Sequence, residues 1–222
     1  MKHTTYYKML EAFREGCPLC VLMRNSVAAF LENFLYECVN DPLVRKKLRT
    51  GLGFCPRHSW QLRKFGDGFG QAIIYADLLE LAGDRLGGRA NAKRSKRGAP
   101  SKCVNDRSAG GQCMVCKLER EAEERYLATF LVGSNEPELR DAYQKGPGLC
   151  VPHIVAALQR CNGDMPIEWI MRIESQKIKD LISELKEYLR KHDYRFSHEP
   201  FGRERGSWIR AIEKLKGKEG VF

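Results

Sequence analysis

The sequences CPLC at residues 17–20 and GLGFCPRH at residues 51–58 are followed later in the chain by close counterparts. The counterparts are CMVC at residues 113–116 and GPGLCVPH at residues 146–153. The second and third cysteines are 35 residues apart in the first set and 34 residues apart in the second. An ordered set of motifs that recurs at nearly constant spacing predicts an internal duplication.

The segments between these motifs predict helices. Apolar residues recur at three- and four-residue spacing over residues 21–38, which is typical of a largely buried helix. An acidic residue followed by proline, at 41–42 and again at 136–137, is typical of a helix start. A further helix is predicted from each Cys-x-x-His motif, and long helices are predicted over 69–86 and 167–193. No alternating strand pattern occurs, so the predicted class is all-α.

Each copy has three cysteines and one histidine at spacings typical of a metal site. Two cysteines separated by two residues can direct both sulfurs to one ion, and a cysteine and a histidine three apart share a helix face. Cys₃His is a standard tetrahedral zinc set, and four protein ligands make a closed, structural site. The sequence therefore predicts two zinc ions, each held within one copy: by Cys17, Cys20, Cys55 and His58, and by Cys113, Cys116, Cys150 and His153.

The nine cysteines also allow uses other than zinc binding. An iron–sulfur cluster stays open as an alternative, because thiolate-rich ligand sets also hold clusters. A thioredoxin-like redox pair requires a preceding strand, which the sequence does not predict. The chain shows neither a secretory leader pattern nor an apolar run of about 18 residues, so we expect a cytoplasmic protein without a membrane partner.

The net charge of +10 is concentrated in one segment. Residues 1–84 sum to +2 and residues 108–222 to +1, whereas residues 85–107 carry eight basic groups and one acidic group. This segment, rich in glycine, alanine and serine, predicts a flexible basic linker between two nearly neutral bodies. The alternative is that it binds the phosphates of RNA or another nucleic acid through Lys93, Arg94, Lys96 and Arg97.

The chain ends in a predicted strap and a final helix. Ser207 is expected to cap that helix, whose apolar face consists of Trp208, Ile209, Ile212 and Leu215. The aromatic segment before it is interpreted as a strap across the preceding long helix, with Asp193 and Arg195 paired locally. A surface for base stacking and phosphate binding is the alternative interpretation of this strap.

These assignments give an all-α protein of two duplicated, metal-stapled helical bundles, joined by a basic linker and followed by a C-terminal strap and helix. The predicted parts are a first metal-binding repeat over 1–86, a linker over 87–110, a second repeat over 111–193 and a tail over 194–222.

The motifs resemble those of a bacterial family of unknown function. The resemblance is carried by CPLC, GFCPRH, the second Cys-x-x-Cys, GLCVPH and the tail motifs Asp193-Tyr194-Arg195 and Pro200-Phe201-Gly202. It spans nearly the whole chain, with Leu149 in place of the phenylalanine of the second Gly-Phe-Cys element. The resemblance implies the doubled metal-site architecture, and it implies no activity, substrate or catalytic residue.

No enzyme signature is found in the sequence. It contains no Walker loop, no Gly-x-Ser-x-Gly, no His-Glu-x-x-His and no dinucleotide-binding fingerprint. The glutamates of residues 119–124 are spaced like a solvated helix face. We therefore expect a metal-binding helical protein that serves as an interaction or scaffold module for a protein partner. Nucleic-acid binding and an iron–sulfur or redox role are the alternatives.

Overall fold

The computed structural model describes residues 4–92, 113–161 and 167–221. Within these ranges the chain forms ten α-helices and no β-strand, which confirms the all-α class. The helices are α1 Thr4–Ala12, α2 Pro18–Asn33, α3 Pro42–Gly51, α4 Pro56–Arg63, α5 Gly68–Ala92, α6 Met114–Gly133, α7 Pro137–Lys145, α8 Val151–Arg160, α9 Ile167–Lys191 and α10 Ser207–Lys216. Phe34–Cys38 continues α2 as a π-helix, and Arg203–Gly206 is a 3₁₀-helix.

Helix α5 runs to Ala92 and so continues into the segment predicted as linker. The proposed phosphate-binding residues Lys93, Arg94, Lys96 and Arg97 lie outside the described residues. None of the helices in the described ranges is long and apolar enough to cross a membrane.

The chain divides into two compact units, each with its own hydrophobic core. Unit 1 is drawn from Met1–Arg24 and Ala122–Phe222, and unit 2 from Asn25–Glu121. The boundaries fall inside α2 and α6, so each of these two helices contributes residues to both units. The units therefore do not coincide with the two copies that the sequence predicts.

The core of unit 1 is built around Tyr143, which is fully buried. Its ring lies 5.7 Å from that of Phe13, 5.8 Å from that of Phe130 and 5.2 Å from that of Trp169, measured between centroids. These separations are typical of favourable aromatic pairs. The contacts join the residue after α1 to α6, α7 and α9.

The core of unit 2 is built mainly from α2, its π-helical continuation and the Gly-x-Gly-Phe-Cys turn. Phe34 and Phe54 meet edge to face with their centroids 5.0 Å apart. Leu62 of α4 and Val115 of α6 are fully buried in the same core. The first turn of α6 is therefore part of unit 2.

The helix starts agree with the predicted capping pattern at some positions and not at others. Asp41 caps α3, because its carboxylate accepts hydrogen bonds from the amides of Leu43 at 2.7 Å and Val44 at 3.1 Å. The predicted cap of α10 is wrong: Gly206 is the N-cap residue, and Ser207 is the buried first residue of the helix.

The strap interpretation of the segment before α10 is supported by its contacts with α9. Arg195 and Asp193 form the expected local ion pair, with Nη2 and Oδ2 2.7 Å apart. The ring of Phe201 lies 5.6 Å from that of Tyr188 and 5.2 Å from that of His192, at the end of α9. The strap thus packs on the last turns of the long helix.

Candidate metal centres

The eight predicted ligands come together in two clusters, but in combinations that differ from the prediction. In each cluster the four donor atoms lie within 4.8 Å of one another. The prediction that each copy supplies all four ligands of its own ion is wrong, because each Cys-x-x-Cys lies beside the Cys-x-x-His of the other copy. Cluster 1, in unit 1, consists of Cys17, Cys20, Cys150 and His153; cluster 2, in unit 2, consists of Cys55, His58, Cys113 and Cys116.

The apolar residues next to the cysteines are grouped in the same exchanged way. Leu19, between Cys17 and Cys20, is fully buried in the core that also contains Leu149, the neighbour of Cys150. Val115 is fully buried in the core that contains Phe54. Burying each of these side chains is favourable by about 1.5–3 kcal/mol, which stabilises the arrangement around each cluster.

Helix starts position all eight ligands. Cys17 and Cys113 directly precede α2 and α6, while Cys55 and Cys150 are the N-cap residues of α4 and α8. Each histidine follows in the first turn, three residues after its cysteine. Two helix N-termini therefore face each cluster, and their partial positive charge stabilises thiolates.

Cluster 1 has the dimensions of a single-ion site. Nδ1 of His153 lies 3.3 Å from Sγ of Cys17, 3.4 Å from Sγ of Cys20 and 3.1 Å from Sγ of Cys150. A tetrahedral ion with bonds of about 2.3 Å to sulfur and about 2.0 Å to nitrogen holds its ligands roughly 3.5–3.8 Å apart. All four residues are buried, so the set is closed to solvent.

Cluster 2 has similar dimensions but is more accessible. Nδ1 of His58 lies 3.2 Å from Sγ of Cys55, 3.3 Å from that of Cys116 and 3.6 Å from that of Cys113. His58 and Cys113 are buried, whereas Cys55 and Cys116 are only partly buried. The donor chemistry and spacing of both clusters fit a metal ion.

Two glutamates of α6 face the far sides of the two histidines. Oε2 of Glu119 lies 3.7 Å from Nε2 of His58, and Oε1 of Glu123 lies 3.8 Å from Nε2 of His153. Carboxylates near the second ring nitrogen orient metal-binding histidines. The expectation of a solvated face over 119–124 is wrong for Glu119, which is buried and paired with Arg57. The four-residue spacing of the two glutamates was the available signal.

The thiols of a cluster differ in acidity. Burial raises the pKa of the Cys113 thiol. Hydrogen bonds with His58 and with backbone amides outweigh this effect and lower the pKa to about 6. Burial and the neighbouring Cys55 raise the pKa of Cys116 to about 12. In cluster 1, burial opposes ionisation of Cys17, yet hydrogen bonds with the other thiols hold its pKa well below the ordinary value. A dication allows three neighbouring thiolates to coexist.

A buried ion pair holds the loop that carries Cys150. Glu174 of α9 is 2% exposed, accepts a hydrogen bond from the amide of Leu149 at 2.9 Å and one from the hydroxyl of Tyr143. Lys214 of α10 pairs with this carboxylate and also donates to the carbonyl oxygen of Leu149 at 2.7 Å. The final helix thus fixes the backbone beside a cluster 1 ligand.

The corresponding turn in unit 2 is held differently. Leu52 ends α3 in the left-handed conformation with φ 55°, and Gly53 follows with φ 99°. A Cβ atom on Gly53 would lie 3.0 Å from the side chain of Leu78 in α5. The turn before Cys55 is therefore held by apolar packing, whereas the turn before Cys150 is held by an ion pair.

Comparisons with known proteins agree with the resemblance seen in the motifs. One relative is described as an uncharacterized 23.9 kDa protein in xynA 3'region from Caldicellulosiruptor sp. (strain Rt8B.4). It is 28% identical over 214 residues, which cover 95% of this chain and 100% of the relative. No solved structure matches the chain. Residues 1–220 match the model of the Family of unknown function (DUF6062), and the chain therefore belongs to that family.

Proposed function

We propose that this chain is a structural zinc protein that serves as a protein-interaction module. The observation that carries the proposal is the closed Cys₃His donor set in each cluster. Four protein ligands around one ion leave no coordination position for a reactive water, and such sites stabilise folds. The role of the metal is then to hold the chain together.

The separation of the thiols favours a single ion over an iron–sulfur cluster. The sulfurs of Cys20 and Cys150 are 3.6 Å apart, and those of Cys55 and Cys116 are 3.5 Å apart. A core of several irons and sulfides lies between its thiolates and keeps them farther apart. Zinc is the metal most typical of closed Cys₃His sites with these motif spacings.

The sequence distance that each ion would bridge supports a stabilising role. Cys20 and Cys150 are separated by 130 residues, and Cys55 and Cys116 by 61. Closing such long loops has an entropic cost, which the binding of a metal ion to the folded chain offsets.

The interaction part of the proposal is supported by the exposed apolar side chains on α10, since such patches mark binding surfaces.

Elemental analysis and the absorption spectrum of the anaerobically purified full chain test the metal assignment. We expect two zinc ions per chain and no visible absorption. The Cys38→Ser variant is the matched control, because Cys38 lies outside both clusters, and it should keep both ions. Iron with sulfide and charge-transfer bands would contradict the proposal, and so would a chain that holds no metal.

A further inference from the structure

A groove of about 700 Å³ lies between α3 and α5 in unit 2. Four of the side chains that line it are cationic and one is a carboxylate: Arg45, Lys46, Arg49, Arg85 and Asp77. They sum to +3, whereas residues 1–84 as a whole sum to only +2. The groove residues other than Arg85 already account for this +2, so the remaining charges of residues 1–84 cancel. The positive excess of this part of the chain is therefore located in the groove.

Asp77 and the backbone of α3 hold the arginines of the groove in place. The Asp77 side chain is 12% exposed; its Oδ2 lies 3.2 Å from Nη2 of Arg45, and its Oδ1 pairs with Nη1 of Arg49. Arg85 donates from Nη2 to the carbonyl oxygen of Arg49 at 3.1 Å. Ordering a long side chain when a ligand binds costs about 0.5–1.5 kcal/mol. Contacts made before binding reduce this cost for three guanidinium groups.

Most of the hydrogen-bond donors in the groove remain available to a ligand. A guanidinium has five N–H donors, and each contact described above uses one nitrogen of its arginine. The exposed ammonium group of Lys46 forms no ion pair with any residue in the described ranges. A cleft lined mainly by charges of one sign attracts ligands of the opposite sign. The groove is therefore suited to an anion.

We propose that the groove between α3 and α5 binds two or more phosphate groups of one ligand. The arginine fork matches the geometry of phosphate and of carboxylate. A phosphate group offers three acceptor oxygens, which suits donors that come from two different helices. A net charge of +3 exceeds the charge of a single phosphate group, so more than one phosphate is expected.

The remaining lining of the groove indicates recognition of phosphates and not of bases. Asn40, Pro42, Thr50 and Leu81 complete it, so no aromatic side chain of the described residues is available for base stacking. Contacts to phosphates alone carry no sequence information. None of the eight cluster ligands lines the groove. The site is thus separate from the metal centres, and the inference goes beyond the interaction role proposed above.

Isothermal titration calorimetry of the full, metal-loaded chain with tripolyphosphate at low salt tests the proposal. The double change Lys46→Gln with Arg85→Gln removes two cations of the groove, and it should raise the dissociation constant at least about tenfold. Lys47→Gln with Arg63→Gln is the matched control, because it removes the same charge from exposed side chains of unit 2 outside the groove. The control should change the dissociation constant by less than about threefold.

Adenosine diphosphate and a short oligouridylate, titrated into the same variants, identify the source of the phosphates. The ligand whose affinity falls in the groove variant and not in the control is the source, a nucleotide or an RNA backbone.

Three results overturn the proposal. The first is a chain that binds none of the three probes, and the second is a groove variant that binds them as tightly as the control. The third is binding that the groove variant retains but that is lost when Lys93, Arg94, Lys96 and Arg97 are replaced with alanine. That result would assign phosphate binding to the basic segment after α5.

Discussion

Replacing Cys150 with serine is expected to release one of two metal ions and to unfold unit 1 while cluster 2 keeps its ion. A serine hydroxyl is a poor substitute for a thiolate, and three remaining ligands bind zinc far more weakly. Structural zinc supplies on the order of 10–16 kcal/mol of binding free energy, comparable to the roughly 5–15 kcal/mol stability of a whole domain. Elemental analysis and a thermal unfolding scan measure the two effects.

The matched control for this variant is Cys161→Ser, in the residue that follows α8 in the same unit. Cys161 lies outside both clusters, so its replacement should leave two ions and a nearly unchanged melting temperature. Two ions and unchanged melting in Cys150→Ser would show that this cysteine is not a ligand. Loss of both ions would show that the clusters are not independent.

Replacing Glu174 with leucine is expected to destabilise the protein by about 3–5 kcal/mol, because it leaves a buried ammonium group without its carboxylate. The side chain of Lys214 is only 10% exposed, and the amide of Leu149 loses its acceptor as well. The loop before Cys150 loses an anchor, so the ion of cluster 1 should also become easier to remove with a chelator. Urea unfolding at neutral pH measures the change in free energy.

Two further variants test the explanation for the effect of Glu174→Leu. The double change Glu174→Leu with Lys214→Met removes both charges and should be less destabilising than Glu174→Leu alone. Asp141→Asn breaks an exposed ion pair of the same unit, with Lys145, and should change the stability by less than about 1 kcal/mol. A cost for Glu174→Leu as small as that of Asp141→Asn would contradict the buried-pair account.

Local features of the fold were predictable from sequence because they depend on neighbouring residues. Asp41 before Pro42 caps α3 as expected, and α4 and α8 begin at the two Cys-x-x-His motifs. A spacing of three residues on a helix determines that each cysteine and its histidine face the same way. The residues of the two clusters were therefore identified, along with the all-α class.

The pairing of the motifs was not predictable, because it depends on contacts between residues far apart in the chain. Leu19 and Val115 are similar apolar residues at equivalent positions, and nothing in their identity tells which core each will join. The burial of Glu119 follows from this pairing, since it lies beside a histidine of the other copy.

The side of α10 that faces solvent could not be predicted from the spacing of its apolar residues either. The spacing of Trp208 and Ile212 locates an apolar side of the helix, but it does not reveal whether that side is buried. Here the polar side of the helix, with Lys214 paired to the buried Glu174, faces the rest of unit 1. A buried pair between distant charged residues gives no recognisable local signal.

The exchange of ligands between the two copies is tested most directly by the metal content of two double variants. Cys20→Ser with Cys150→Ser removes two ligands of cluster 1 only, so one ion per chain should remain. Cys20→Ser with Cys55→Ser removes one ligand from each cluster, so neither ion should be retained. The reverse result, with no ion in the first variant and one in the second, would show that each copy binds its own metal and would contradict this account.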